Sequence, residues 1–268
     1  MPEAAPLKLE LRDLCITYVS RQDGDRVEAV RDVNLKVADK PGTGEVIAIL
    51  GPSGCGKSTI FKAIAGLLAP TKGEVYVDGK PVDGPGRDRG MIFQAYTSFG
   101  WLTARENVEY GLRLTGVPKA ERRERAMEYL KLVGLADFAN AYPKQLSGGM
   151  KQRVAIARTL INRPRLVLMD EPFGALDPQT RWEMQGLLLR LSRHEDNTVV
   201  LITHDVSEAV YVADKVYVLS HRPAQILREV EIPFFGERAI GLQATPKFLE
   251  LEGELLEALY NAPKVSTA

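Results

Sequence analysis

The chain contains 268 residues, and its 35 lysine and arginine residues balance its 35 aspartate and glutamate residues, so the formal net charge is zero. This balance argues against a protein whose whole surface is built to hold nucleic acid, because such surfaces carry an excess of basic residues. With 45% hydrophobic and 26% charged residues, the composition is that of a folded globular chain and excludes a disordered one.

Cysteine usage and the apolar runs bear on the compartment. Cys15 and Cys55 are too few for a disulfide framework, which favours a reducing environment. The sequence has no apolar run of about 18 residues, the length needed to span a bilayer, and its first 11 residues lack the apolar core of a signal peptide. We therefore expect the chain to stay in the cytosol and to act at a membrane through a partner.

The first third of the chain predicts strands. Residues 7–19 and 29–37 carry apolar side chains at nearly every second position, which is the period of a half-buried strand. A loop rich in glycine and proline follows at residues 38–44. Residues 46–50 form a continuous apolar run that ends in glycine, which predicts a strand buried on both faces.

Helices then become frequent. Residues 57–67 have helical spacing, and short strands are predicted at residues 74–77 and 91–93. Three further segments predict a helical subdomain over residues 95–158: residues 103–114, 119–133 and 147–162.

Strand patterns return in the last third. Residues 166–169 and 199–202 are apolar runs with a predicted helix at residues 178–192 between them. Strands that alternate with helices predict a parallel sheet covered on both faces. An amphipathic helix is predicted at residues 247–260.

The strongest motif follows the predicted strand at residues 46–50. It fits G-x-x-x-x-G-K-[ST] and lies between a strand and a helix, the context of a phosphate-binding loop. Lys57 is expected to reach the β- and γ-phosphates and the Ser58 hydroxyl to ligate Mg²⁺. The residues assigned to the nucleotide here are Gly51, Pro52, Ser53, Gly54, Cys55, Gly56, Lys57, Ser58 and Thr59.

A second candidate site follows the predicted strand at residues 166–169. Asp170 lies where that strand ends, which is where ligands bind in open α/β sheets. We expect Asp170 to hold Mg²⁺, directly or through water, and Glu171 to act as the general base on the attacking water. Considered without the phosphate-binding loop, Asp170 and Glu171 have an alternative interpretation: two acids that simply begin a loop.

A third motif is the run Leu146-Ser-Gly-Gly149 before a predicted helix. Ser147 is a candidate N-cap, and Gly148 and Gly149 leave backbone N–H groups to meet an anion. An ordinary capped helix is the alternative for this motif on its own.

The three motifs, in this order and at these separations, resemble the ATP-binding subunit of ABC transporters. The resemblance covers the chain to about Ile232. It implies a P-loop NTPase fold of the α/β class, with a mostly parallel central sheet, an antiparallel β subdomain and an inserted helical subdomain. The implied division of this single domain is residues 1–94 and 159–232 for the nucleotide-binding core with its β subdomain, 95–158 for the helical subdomain and 233–268 for a short extension.

The resemblance assigns roles to four further residues. Gln94 resembles the family's glutamine loop and is implied as a catalytic and metal-binding residue. Asp177 resembles its aspartate loop, and His204 its switch histidine. Tyr18 lies where the family often stacks an aromatic ring on adenine. The alternatives are strand packing for Tyr18, a solvated loop residue for Gln94, a strand-end cap for His204 and the start of a helix for Asp177.

A closer resemblance is to the nitrate/sulfonate/taurine importer branch. It is carried by residues 86–103, 171–177 and 201–209. Two features depart from that branch: Gly100 stands where proline is usual, and the loop at residues 38–44 is longer than usual.

The family resemblance implies ATP and Mg²⁺ as cofactors and a set of partners. The expected partners are a second ATPase subunit, identical or paralogous, bound head to tail, integral membrane permease subunits, and indirectly an external substrate-binding protein, with no nucleic acid. The expected location is peripheral, on the cytoplasmic face of the inner membrane. We expect residues 94–106, with Tyr96, Phe99, Trp101 and Leu102, to contact the permease, with packing beneath the loop as the alternative.

Two other functions remain as alternatives. One is a soluble ABC-type ATPase of DNA repair or translation, against which the chain shows no long coiled-coil insertion, no second cassette and no basic excess. The other is a subunit that binds nucleotide without hydrolysing it, against which Lys57, Asp170, Glu171 and His204 are all present.

Overall fold

The structure is a computed structural model that describes residues 6–19, 24–40, 42–94, 97–194, 197–234, 238–239 and 241–260. The strands are β1 (Leu7–Val19), β2 (Arg26–Ala38), β3 (Glu45–Leu50), β4 (Lys72–Val77), β5 (Lys80–Pro81), β6 (Arg89–Ile92), β7 (Leu166–Asp170), β8 (Thr198–Thr203), β9 (Lys215–Leu219) and β10 (Ile226–Glu231). The helices are α1 (Lys57–Ile64), α2 (Ala104–Val108), α3 (Tyr110–Leu114), α4 (Lys119–Leu132), α5 (Gly148–Leu160), α6 (Pro178–His194), α7 (Val206–Val212) and α8 (Pro246–Tyr260).

A six-stranded sheet forms the centre of the molecule, in the order β10-β9-β3-β8-β7-β6. Strands β9, β3, β8, β7 and β6 pair in parallel, and β10 pairs antiparallel with β9. Every residue of β3 and β8 is buried, as their continuous apolar sequences predict. The ends of β3, β7 and β8 lie together at one edge, which we call the carboxyl edge.

A second sheet is antiparallel and has the order β2-β1-β4-β5. Its strands β1 and β2 are long and pair from Leu7↔Ala38 to Val19↔Arg26, with several irregularities in register. The mostly parallel sheet and the antiparallel sheet confirm the predicted fold class.

The buried side chains form two clusters, one on each face of the parallel sheet. One cluster joins that sheet to the antiparallel sheet and to α1, with Leu9, Phe61 and Ile49 among its members. The other joins the opposite face to the helices between residues 104 and 160 and to α6, α7 and α8. The predicted helical subdomain therefore shares its core with the central sheet, and its boundaries at residues 95 and 158 stay a prediction.

The predicted helix at residues 103–114 is wrong in one respect, because the structure divides it into α2 and α3. Thr103 and Glu106 form a reciprocal capping box at the start of α2. Glu109 separates the two helices with a ψ angle of −6°, and this buried residue lies 3.6 Å from Arg122 of α4. The break between α2 and α3 coincides with the tertiary packing of Glu109, and the hydrophobic periodicity of the sequence does not indicate it. Within the described residues, no helix is both long enough and apolar enough to cross a bilayer.

Candidate nucleotide-binding and hydrolysis site

The predicted phosphate-binding loop connects the end of β3 to the start of α1. Gly54 and Gly56 take positive φ angles of 73° and 125°, which residues with a side chain adopt only under strain. A β-carbon on Gly56 would also come within 2.6 Å of the Ala29 carbonyl oxygen on β2. The loop therefore requires glycine at this position. It leads directly into the N-terminus of α1, where backbone N–H groups point towards a bound anion.

Lys57 is the first residue of α1 and is 5% exposed. Its Nζ atom donates hydrogen bonds to the carbonyl oxygens of Gly51 at 2.8 Å and Pro52 at 2.9 Å. An ammonium group has three N–H donors, so it can bind one further acceptor while these two contacts are kept. Because both partners are neutral, the charge of Lys57 is not cancelled and suits an anionic ligand.

Three candidate metal ligands lie at the carboxyl edge. Ser58 Oγ donates to Asp170 Oδ1 at 3.4 Å, which joins the start of α1 to the end of β7. Gln94 is exposed and follows β6, the neighbour of β7 in the sheet. Its Nε2 atom lies 3.9 Å from the position that a β-carbon on Gly174 would take. Burial raises the pKa of Asp170, and the hydrogen bond from Ser58 acts in the opposite direction.

These side chains fit a magnesium ion. Hydroxyl, carboxylate and amide oxygens are the hard ligands that Mg²⁺ takes, usually one or two from the protein and the others from substrate phosphate and water. A divalent cation beside Asp170 would favour the ionised carboxylate that burial disfavours. Within the described residues, no three His, Cys, Asp or Glu side chains gather into a metal cluster.

Glu171 and His204 follow the neighbouring strands β7 and β8. The Glu171 N–H donates to the Ile202 carbonyl oxygen at 2.9 Å, and its φ angle of +43° turns the chain away from the sheet. His204 Nδ1 lies 3.2 Å from Glu171 Oε2. The Glu171 side chain is 22% exposed and the His204 side chain is 52% exposed. The sheet thus brings an acid and an imidazole together at the surface of the carboxyl edge.

Tyr18 lies beside the same loop. Its hydroxyl is 3.2 Å from Thr59 Oγ1 in α1, and the residue is 41% exposed at the end of β1. The ring is therefore not part of the core, whereas packing at the edge of the sheet stays open as the alternative. An exposed aromatic ring next to a phosphate-binding loop is available to stack on a base.

The run at residues 147–149 is held by other elements. Ser147 is exposed and is the N-cap of α5, since its Oγ accepts a hydrogen bond from the Met150 N–H at 3.3 Å. A β-carbon on Gly149 would come within 2.4 Å of Thr180 Cγ2 on α6. The contacts that fix this run are thus with α5 and α6, whereas those of Tyr18, Ser58 and Asp170 converge on α1.

Asp177 lies next to this run through Thr180. Its Oδ1 accepts a hydrogen bond from the Thr180 N–H at 3.0 Å, which caps α6. Hydrogen bonds from the Thr180 side chain and backbone lower the pKa of Asp177. The alternative interpretation of Asp177, that it starts a helix, therefore accounts for its hydrogen bond with Thr180. The closeness of residues 147–149 and Asp177 could not be read from the sequence, because it depends on how α5 and α6 pack.

Sequence reasoning missed a buried acid behind His204. Glu208 is 6% exposed, and burial raises its pKa to about 7. It lies in the first turn of α7, where the Glu208 N–H donates to Asp205 Oδ1 at 3.0 Å. An Asp followed by Glu three residues later is a helix-start pattern, and this pattern could have predicted α7.

Comparison with known proteins identifies the family. The ABC transporter family matches residues 30–174, which is more than half of the 268 residues. The chain is an ABC ATPase. The predicted family is therefore confirmed, and with it the binding and hydrolysis of ATP.

Individual relatives match this ABC ATPase over most of its length. The nitrate import ATP-binding protein NrtD of a Synechocystis species is 45% identical over 94% of this chain and 95% of its own. The taurine import ATP-binding protein TauB of Pelagibacter ubique is 43% identical over 89% of this chain and 90% of its own. These two relatives confirm the resemblance to the nitrate/sulfonate/taurine branch.

A solved structure supports the fold. A dimeric ATP-binding cassette in a post-hydrolysis state, bound to ADP and phosphate, is 37% identical with a TM-score of 0.71, and the match covers 85% of this chain and all of that one. That structure is a dimer in its own right, and family membership implies membrane permease components for this ABC ATPase.

Proposed function

We propose that this ABC ATPase powers an importer of the nitrate/sulfonate/taurine type as one half of a head-to-tail ATPase pair. The observation that carries the proposal is the Glu171–His204 pair, 3.2 Å apart at the edge where the Ser58–Asp170 contact joins β7 to α1. Relatives named for nitrate import and for taurine import support the importer class. Both named substrates are small molecules with an anionic oxygen group.

The loop at residues 51–59 binds the triphosphate of ATP in this proposal. Lys57 supplies charge to the β- and γ-phosphates, and the first turn of α1 supplies N–H groups. Tyr18 stacks on the adenine. Ser58, Asp170 and Gln94 hold Mg²⁺, which when bound supplies a Lewis acid that neutralises phosphate charge.

Glu171 is the general base and His204 its partner. A carboxylate within reach of the attacking water takes the proton as the oxygen–phosphorus bond forms. His204 lies against the same carboxylate and holds it in place, and its imidazole is exposed enough to meet the γ-phosphate as well. In this proposal Glu171 and His204 are needed for the hydrolysis of ATP rather than for its binding.

The second half of each ATP site comes from the partner cassette. Ser147, Gly148 and Gly149 form the start of α5, a 13-residue helix, with Ser147 exposed and Gly149 buried, and such a helix end binds phosphate. Asp177 lies beside the run through Thr180. Because the run is fixed by α5 and α6, its ligand in this proposal is the ATP bound by the partner's phosphate-binding loop.

The permease contact is proposed at residues 97–103, which we call the docking loop. Trp101 is 74% exposed, whereas the Phe99 ring packs against Tyr110 and Trp101 at centroid distances of 4.5 and 5.4 Å. The loop borders a concavity of about 830 Å³. Residues that line it include Phe99, Tyr110, Leu114, Arg125, Arg158 and Pro164. Tyr96 of the predicted contact segment lies outside the described residues.

Two side chains hold the docking loop in shape. Asn107 is fully buried and accepts a hydrogen bond from the Phe99 N–H at 2.8 Å. Its amide donates to three loop carbonyls, those of Phe99, Leu102 and Thr103, at 3.0–3.1 Å. Arg158 of α5 donates to the Thr97 carbonyl and hydroxyl at 2.8 and 2.6 Å. The helix that begins with Ser147 thus also holds the loop proposed to meet the permease.

The proposed location follows from these partners. A chain that docks on an integral permease from the ATP-containing side lies at the cytoplasmic face of the inner membrane. The external binding protein then contacts only the permease, and its selectivity is separate from this chain. The importer proposal is tested most directly by copurification of the chain with integral membrane permease subunits from the same cell.

Glu171→Gln tests the assignment of the base. The amide has nearly the size of the carboxylate but cannot take a proton, so ATP binding should persist while turnover falls by about a hundredfold or more. The measurement is nucleotide affinity and phosphate release by the full chain. Near-normal turnover would contradict the assignment.

Ser147→Asp tests the composite site. Aspartate is as good an N-cap as serine, so α5 should be retained, but its charge repels phosphate. A mixture of Ser147→Asp and Lys57→Ala chains should recover activity that neither has alone, because one site per heterodimer is intact. Heterodimers that form without recovered activity would contradict the head-to-tail pair. Gly149 is less suitable for this test because any side chain there meets Thr180.

A further inference from the structure

The start of the docking loop is held by one side chain. Arg158, in the last turn of α5, donates to the Thr97 carbonyl oxygen at 2.8 Å and to the Thr97 hydroxyl at 2.6 Å. Its guanidinium carbon also lies 5.4 Å from the centroid of the Phe99 ring. Within the described residues, Thr97 has no other hydrogen-bond partner. Because Asn107 holds only later residues of the loop, the position of Thr97 depends on Arg158.

Helix α5 connects this contact to the run at residues 147–149. Ser147 is the N-cap of the helix, and Arg158 follows it by 11 residues, which is about 16 Å along the helix axis. Eight of the 13 residues of α5 are buried. A helix packed so closely shifts as one body, because a dense protein interior transmits displacement. A shift at Ser147 should therefore reach Arg158.

The same end of α5 contacts β6. Thr159 is buried, and its hydroxyl donates to the Met91 carbonyl oxygen at 3.4 Å. Strand β6 leads to Gln94, which precedes Thr97 by three residues. The start of the docking loop is thus close in sequence to a residue proposed for the cassette's own ATP site. It is also hydrogen-bonded to the helix that begins at the partner's proposed site.

We propose that Arg158 is a positioning residue that passes the occupancy of the partner's ATP site to the docking loop. This inference rests on the proposed roles of Ser147 and of the docking loop. The planar guanidinium donates to both acceptors of Thr97, which fixes the orientation of the contact as well as its length. Arg158 has no assigned contact with the nucleotide, and it acts through Thr97 and Phe99.

Trp101 provides a probe of the docking loop. The chain has two tryptophans, and the Phe99 ring that lies next to Arg158 also packs on Trp101 at 5.4 Å. Trp182→Phe in every protein of the experiment leaves Trp101 as the single indole. Its accessibility is measured as the quenching of fluorescence by acrylamide. The full chain is used, with and without a saturating non-hydrolysable ATP analogue and Mg²⁺.

The decisive variant is Arg158→Met, which removes the donors and keeps an unbranched side chain. We expect the analogue to change the quenching constant of Trp101 when Arg158 is present and to leave it unchanged in the variant. The affinity for the analogue should be the same in both proteins. A response that persists in Arg158→Met, or that is absent when Arg158 is present, would overturn the proposal.

Thr97→Ser and Thr97→Val form a matched pair. Thr97 is exposed, so neither change should disturb the fold. Serine keeps the hydroxyl that Arg158 binds, whereas valine has nearly the shape of threonine without it. Thr97→Ser should keep the response of Trp101, and Thr97→Val should lose part of it, because the carbonyl contact remains. Equal responses would contradict the link through Thr97. If thermal unfolding shows that Arg158→Met is destabilised, this pair decides the test.

Light scattering separates this inference from the proposed function. If the chains stay monomeric with the analogue bound, the head-to-tail pair is wrong and the inference fails with it. If the chains pair and the response of Trp101 is independent of Arg158, the head-to-tail pair stands and the positioning role is wrong.

Discussion

The two edges of the parallel sheet differ in how their polar groups are paired. At the carboxyl edge, the Asp170 carboxylate accepts a hydrogen bond from Ser58 at 3.4 Å, and burial raises its pKa. Glu171 and His204 face each other near solvent. These groups keep hydrogen-bonding and charge capacity for a ligand.

At the opposite edge, one acid is surrounded by donors. Asp214 precedes β9 and accepts hydrogen bonds from the Val46 N–H at 2.8 Å and from Arg193 at 2.6 Å, with Arg238 at 3.5 Å. Arg238 also donates to the carbonyl oxygens of Val210, Ala213 and Phe234. The paired Asp214 thus serves the fold, whereas the under-paired acids Asp170 and Glu171 keep the capacity that their proposed roles require.

The largest expected effect is at the carboxyl edge. Asp170→Asn should lower ATP turnover by about a thousandfold, because it removes a charge proposed to hold Mg²⁺. Stability should not fall, because the wild-type carboxylate is disfavoured by burial. The measurements are Mg²⁺-dependent phosphate release and thermal unfolding. A destabilised variant with normal turnover would place Asp170 with the structural acids.

Asp214→Ala should show the reverse pattern. It leaves Arg193 and the buried Arg238 without their carboxylate, which costs about 3 kcal/mol when one member of a buried pair is removed. ATP affinity of the folded fraction should be unchanged. Denaturant unfolding and nucleotide titration provide the two readings, and Asp214→Asn is the milder control. An unchanged free energy of unfolding would show that the network is not structural.

The pH dependence of stability gives a smaller effect. The pKa of Glu208 is about 7 in the fold against an ordinary value of 4.5, so the unfolded chain loses this proton first and stability falls as pH rises from about 4.5 to 7. Glu208→Gln should therefore be more stable than wild type by about 3 kcal/mol at pH 8 and equal to it near pH 4.5. Unfolding curves at both pH values check this, and a gain independent of pH would contradict it.

The smallest effect is expected at Trp101. Because its ring is largely exposed, Trp101→Ala should change the free energy of unfolding by less than about 0.5 kcal/mol. Phe99→Ala removes a ring packed on Tyr110 and Trp101 and should cost about 2 kcal/mol. Denaturant unfolding of the two variants side by side is the measurement. Equal costs would show that Trp101 is part of the core.

The comparison of edges also explains what the sequence could predict. Strands β3, β7 and β8 are continuous apolar runs, and Asp170 and His204 directly end or follow two of them, so their place at the carboxyl edge could be predicted. The acid at the other edge and its arginine partner carry no motif. Asp214 and Arg238 look like ordinary surface residues in the sequence, and only packing brings them to Val46 and Arg193.

Short elements were harder to predict than long ones. Helix α7 has seven residues, three of them valine, so neither its period nor its composition indicates a helix. Strand β9 pairs with β10 on one side and with β3 on the other, and no local motif marks β9 or β10. The buried state of Glu208 follows from the position of α7 and was missed for the same reason.

Asn107 has a consequence for how this family can diverge. One amide outside the docking loop fixes four of the loop's backbone groups, while the position of a β-carbon on Gly100 has no atom within 4 Å. The side chains at the tip can therefore be exchanged while the loop keeps its path. One such exchange is Gly100, which stands where proline is usual in this branch. Asn107 thereby fixes the path of the docking loop independently of the side chains at its tip, so the residues proposed to meet the permease can change while the loop keeps its shape.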